Sequence, residues 1–201
     1  MSGIQSLSPR QQILTVAVEL LAERGRAGAS LRELAGRVGI HNSTLFHYFP
    51  DKGSLVASAL DAVAERQLEW LERLEADEPP SLAALESVLA DWDRHLCGAP
   101  AEASLLWDAL GGPGASSGDD RPASVPVGRL TSLLEGWLER AAAAGLIRCP
   151  QTAAATGWIL GAMLFRPHAG VDGEPGAGRA AAPSERPLAR FVASGLGARE
   201  A

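Results

Sequence analysis

The chain has 201 residues, enough for one or two compact domains with a sizeable core. A net charge of −6 argues against general polyanion binding by the molecule as a whole. With 46% hydrophobic residues and a mean hydropathy of +0.03, the composition is that of a soluble globular protein. The longest strongly apolar run, residues 153–165, is too short to cross a bilayer, and the opening residues lack the basic-then-apolar pattern of a secretory leader. Cys97 and Cys149 stand far apart and outside metal-ligand spacing, so each is read as an isolated buried thiol of a reduced compartment, and a cytoplasmic location is expected.

Much of the apolar fraction is alanine and β-branched alternation is nearly absent, which predicts an all-α fold. Ser8 and Pro9 open the first helix as N-cap and first helical residue, with Ile13, Ala17, Leu20 and Leu21 at helical spacing and Gly25 as the stop. A short loop, residues 26–29, leads to Ser30, which caps a second helix and with Glu33 makes a capping box. Leu31, Leu34, Ala35 and Val38 form its core stripe, and Gly39 supplies the positive φ of a reversal. Ile40 and Leu45 then anchor a short third helix whose His41, Asn42, Ser43, Thr44 and His47 point outward. Two helices joined by a Gly turn, the second presenting small polar groups, make a helix-turn-helix over residues 30–49.

Asp51 caps a long helix whose stripe, Leu55, Val56, Ala59, Leu60, Val63, Leu68, Leu71 and Leu74, runs to about Ala76 and bridges two domains. Glu78-Pro79-Pro80 ends it. Ser81 caps a helix carrying Leu82, Leu85, Val88, Leu89, Trp92 and Leu96; Gly98-Ala99-Pro100 breaks it before a short helix, residues 102–110. Residues 111–125, rich in Gly, Ser, Asp and Pro, form the longest candidate loop. Further helices are predicted at 126–144, with Leu130, Leu133, Leu134, Trp137 and Leu138 inward, at 152–165, and at 184–196, with Leu188, Phe191, Val192 and Leu196 as its stripe; residues 167–183 read as coil.

Residues 1–60 carry six basic groups against four acidic, a net of +2, which leaves −8 on the remainder. A basic module on an acidic body fits one end that faces phosphate. In a major groove, side chains near the start of the third helix reach base edges: His41, Asn42 and Ser43, with Asn42 able to pair adenine bidentately. Thr44, Tyr48 and Lys52, with Ser30 and Arg32 opening the supporting helix, fit phosphate contacts that set register. His47 is balanced between a phosphate contact and an ordinary surface histidine. Phe46 and Phe49 are read as core, and Arg24 and Arg26 as solvated helix-end charges.

The run Gly39, Ile40, Ser43, Thr44, Leu45, Phe46, His47, Tyr48, Phe49, Lys52 resembles the recognition segment of the TetR family of transcriptional regulators. The resemblance is specific over residues 7–67 and architectural beyond. It implies a DNA-binding domain at 7–67 and an effector-binding and dimerisation domain at 68–201. Two positions depart from the family pattern: Phe46 stands where tyrosine is common, so a hydroxyl contact to phosphate is lost, and Gly53 stands where an acidic residue is usual.

The resemblance further implies a homodimeric regulator, a repressor rather than an activator, binding double-stranded DNA at a palindromic operator. Half-sites about 34–36 Å apart, or a multiple, compensate for the little sequence one short helix reads. For an apolar or aromatic effector, Trp92, His95, Trp107, Trp137 and Met163 are the candidate pocket residues, balanced against plain core filling. Gly157 and Gly161 with Leu188, Phe191 and Val192 are the candidate dimer interface; tight packing within one subunit is the alternative for the glycine pair. No cofactor and no metal are expected. Neither a phosphate-binding Gly loop, a nucleophile elbow nor an HExxH occurs, so an enzyme is not expected, and the spacing of Asp91 and His95 fits a surface pair better than a metal site. A helical adaptor without operator binding is the remaining alternative.

Overall fold

The computed structural model describes residues 7–111 and 124–165. Eight helices and no strands occur among them, in agreement with the all-α expectation: α1 (Pro9–Gly28), α2 (Leu31–Val38), α3 (Asn42–Tyr48), α4 (Lys52–Glu75), α5 (Leu82–Gly98), α6 (Pro100–Leu110), α7 (Val125–Ala143) and α8 (Thr152–Phe165). Leu188, Phe191 and Val192, the helix predicted around them, and most of the 111–125 loop lie outside the described residues.

The helix starts follow short-range chemistry. Ser8 Oγ accepts the Gln11 N–H at 3.3 Å while Gln11 Oε1 accepts the Ser8 N–H at 3.0 Å, a full capping box with Pro9 in the first turn. Asp51 and Ser54 form a second box at the head of α4, the Ser54 N–H reaching Asp51 Oδ1 at 2.7 Å. Ser81 and Ser124 cap α5 and α7, and Ser124 also donates to Asp61 of α4 at 2.7 Å. At Ser30 only half of the expected box forms. Its Oγ accepts the Glu33 N–H at 3.1 Å, but the Glu33 carboxylate turns to Arg37, 3.0 Å away.

Gly25 does not end α1. It takes φ 66°, ψ 169°, a kink after which the chain makes one more turn to Gly28, so most of the expected 26–29 loop is helical. Proline in the first turn starts α6 at Pro100, two residues earlier than the sequence suggests. Neither cysteine is buried. Cys97 lies on the outer face of α5 beside buried Leu96, and Cys149 is half-buried in the segment leading to α8.

α4 is the axis of the molecule. At roughly 36 Å for 24 residues it contacts α1 near its head and α5, α6 and α7 along its length. Its stripe from Leu55 to Leu74 is buried throughout and belongs to one continuous core shared by all eight helices. Within that stripe Gln67 is the polar exception, and it is fully buried. Its Oε1 accepts the Trp92 indole N–H at 2.7 Å and its Nε2 donates to Glu102 Oε2 at 2.7 Å, so one side chain ties α4 to α5 and α6. Gln67→Leu keeps the volume but leaves a buried indole N–H and a carboxylate oxygen without that partner. A loss of about 2–3 kcal/mol in urea unfolding is expected; an unchanged midpoint would show that the contact contributes nothing net.

Candidate nucleic-acid interface

The helix-turn-helix is built from α2, a left-handed residue and α3. Gly39 adopts φ 79°, ψ 31°, a conformation costly for any residue with a Cβ, and its N–H returns to Ala35 O at 2.9 Å. Leu34 and Ala35 of α2 and Leu45 of α3 are buried, which fixes the angle between the helices through a small apolar contact. Ile40 and Val38 are half-buried beside it.

His41, the N-cap of α3, accepts the Thr44 and Leu45 N–H groups through its carbonyl at 3.0 and 3.1 Å and makes no side-chain cap. Its imidazole, Asn42, Ser43, Thr44 and His47 are all exposed, as is Arg32 at the start of α2. Four of the proposed contact residues thus crowd the first turn of α3. Ser30 is exposed, but its hydroxyl is engaged as the α2 cap. Tyr48 is half-buried, its ring edge-on to His47 at 5.6 Å between centroids. Lys52 is half-buried and donates to Ala27 O at 3.1 Å, placing a cation on a late carbonyl of α1 and tying the head of α4 to that helix.

Charge pairs brace this frame. Arg37 donates to Glu23 of α1 at 2.7 Å and to Glu33 at 3.0 Å. The bonded guanidinium holds the Glu23 carboxyl below its ordinary range. Arg10 donates to Ser58 at 3.0 Å and stacks over the buried Phe49 ring at 5.3 Å. Two sequence expectations are corrected. Phe46 is not core: it is 48% exposed on α3, because a helix of two turns buried on one side leaves Leu45 in and its neighbour out. Arg26 is not a solvated helix-end charge, since its largely buried side chain lies 3.9 Å from Asp108 of α6.

The candidate pocket residues separate. Trp92, Trp137 and Met163 are buried in the core, the two indoles bonded to Gln67 and Asp77. His95 lies in the polar cluster with Gln67 and Glu102, its ring 5.7 Å from Trp70. Asp91, four residues before it, is held instead by Arg73 at 2.8 Å and Arg94 at 3.0 Å, which keep its carboxyl below the usual range. Trp107 alone of the five lines a cavity of about 380 Å³ between α6, α7 and α8, with Leu110, Thr131, Leu160, Leu164 and both Gly157 and Gly161. A Cβ on Gly161 would stand 3.8 Å from the Trp107 ring; one on Gly157 would meet open space.

Comparison with known proteins places this geometry. The family model for bacterial regulatory proteins of the tetR family matches residues 13–59, from within α1 to the first third of α4. Over these residues the chain is similar to the DNA-binding module of the TetR family. A helix-turn-helix transcriptional repressor of Mycobacterium tuberculosis is 36% identical over 83 residues, 41% of this chain and 40% of that protein, so the chain aligns with about two fifths of the length of the curated relatives it matches. Among solved structures, a TetR/AcrR-family transcriptional regulator from Thermobifida fusca superposes with a TM-score of 0.60 over 92% of this chain and 97% of its own, at 20% identity. AibR, solved with isovaleryl coenzyme A and operator DNA, superposes at 0.66 over 96% and 100%, at 18% identity. The TetR fold therefore extends through the helical body, where sequence identity is low.

Because the TetR turn depends on one left-handed residue, Gly39→Ala is expected to cost about 1–2 kcal/mol. Thermal unfolding followed by circular dichroism reads this directly; a variant as stable as the parent would mean the turn tolerates another conformation.

Proposed function

We propose that this chain is a homodimeric, ligand-responsive transcriptional repressor of the TetR family that binds a palindromic operator in the cytoplasm and is not an enzyme. The observation that carries the reading is the exposed first turn of α3, His41 to Thr44, braced from below by Leu45 against Leu34 and Ala35. Residues 7–67 act as the DNA-binding unit and 68–201 as the sensing and dimerising unit. His41, Asn42 and Ser43 read base edges, while Arg32, Thr44, His47, Tyr48 and Lys52 set register on phosphates. Ser30 contributes through its cap.

Dimerisation has support on α8. Ala153, Ala154, Gly157 and Trp158 are exposed on neighbouring positions of one helix, Trp158 at 48%. A large aromatic beside small residues suits close approach of a two-fold related helix. Effector binding has support in the cavity between α6, α7 and α8, whose size and mostly apolar lining suit a small apolar or aromatic molecule. Trp107 lines that cavity, and the next residue, Asp108, pairs with Arg26 of α1. A ligand that displaces α6 would therefore move the base of the DNA-binding module as well as α4, and change the separation of the two recognition helices.

Fluorescence anisotropy with the protein's own upstream DNA against random duplex, across a salt series, tests the regulator reading. A salt-sensitive preference for the former is expected; equal affinity would overturn it. In the same assay Asn42→Ala should relax discrimination at one base position by about 1–3 kcal/mol. Lys52→Gln should weaken all duplexes alike and lower the salt slope by about one. For the effector, an apolar compound that raises the melting temperature is expected also to release DNA. A library of such compounds that gives no shift would leave the cavity without a ligand role.

A further inference from the structure

Phe46 is the one feature of α3 that the reading above leaves without a task. It is 48% exposed, whereas Leu45 beside it and Phe49 beyond it are almost wholly buried. Exposing a phenyl ring is unfavourable in water, and nothing in the packing of this short helix requires it there. Phe46 lies four residues after Asn42 and three after Ser43, so the three side chains share one helical face. All three side chains are exposed, while Leu45 is buried.

In a major groove the base edges present hydrogen-bond donors and acceptors and, besides these, only small C–H edges; thymine alone adds a projecting apolar group, its C5-methyl. Phenyl has no hydroxyl with which to bond a phosphate, so the side chain cannot serve register as Thr44 or Lys52 could. We propose that Phe46 is a specificity-determining residue that packs against a thymine methyl, next to the position read by Asn42. The proposal rests on the reading that α3 enters the major groove, and it adds an apolar, shape-dependent element to polar base recognition.

The test uses the full-length chain and a duplex it retains from its own genomic DNA, prepared with thymine or with deoxyuridine at successive half-site positions. Removing one methyl should weaken the wild-type protein roughly fourfold at one position of each half-site. Phe46→Ala should bind the thymine duplex about as weakly as wild type binds the uracil one, and should lose nothing further on uracil substitution. Phe46→Leu, still apolar, should retain most of the methyl sensitivity. Because Phe46 lies outside the core, the melting temperature of both variants should match the parent, which separates a contact effect from misfolding. Equal losses by wild type and Phe46→Ala at every position would overturn the proposal while leaving major-groove binding intact. If the wild type shows no preference for any duplex, the reading of α3 itself falls, and the role of Phe46 with it.

Discussion

The buried stripe of α4 is the constraint on which the rest of the molecule depends. From Leu55 to Leu74 it never surfaces, and it packs on α1 of the DNA-binding module and on α5, α6 and α7 of the body. Both ends are held. Lys52 bonds Ala27 O at the head, and Arg140 of α7 donates to Leu74 O near the tail at 3.0 Å. A helix fixed in this way cannot slide freely along its axis, because its apolar side chains interlock with neighbours in a dense core. The recognition helix therefore inherits its position from packing that begins well outside the DNA-binding module.

The polar exception in that stripe makes the arrangement specific. Leucines alone would tolerate small rotations of α5 and α6 about α4. Gln67 does not, since the Trp92 indole and the Glu102 carboxylate must be met at once, and Arg66 donates to the other Glu102 oxygen at 2.7 Å. Directional bonds to a buried amide fix register where apolar area alone would not. With α5 and α6 docked on α4, the cavity beside Trp107 and the Arg26–Asp108 contact fall on opposite sides of one short helix.

Much of this was legible in the sequence where the chemistry is short-range. Ser8, Ser30, Asp51, Ser81 and Gly39 act within four residues of themselves, so their roles could be read from spacing alone, and the long stripe of α4 is unambiguous over six turns. What could not be read depends on partners far along the chain or on too little periodicity. Gln67 meets residues 25 and 35 positions away, and Arg26 meets one 82 positions away. Phe46 sits on a helix of seven residues, too short for apolar periodicity alone to tell its buried side from its exposed one. The tryptophans were ambiguous because composition says that an indole wants burial but not whether its neighbours leave room beside it. Trp92 and Trp137 are buried and bonded within the core, and Trp107 lines the cavity.

α6 has the geometry of a lever. It is only 11 residues long, it ends in a left-handed glycine at Gly111 with φ 84°, and it touches α1, α4, α5, α7 and α8. α4 by contrast is pinned at both ends and buried along its length, so moving it means repacking the core. The Trp107 side of α6 borders the cavity shared with α7 and α8, so a molecule held there would bear directly on α6. Its opposite side reaches α1 through Asp108 and Arg26, whose partial burial strengthens the attraction relative to an exposed pair. A second route from the body to the recognition helix, besides α4, runs through α1, on which Arg37 of α2 is anchored by Glu23. On the proposed ligand-responsive reading, Asp108→Asn should leave operator affinity nearly unchanged yet uncouple it from a ligand of the cavity; if ligand still releases DNA from that variant, α4 carries the signal instead.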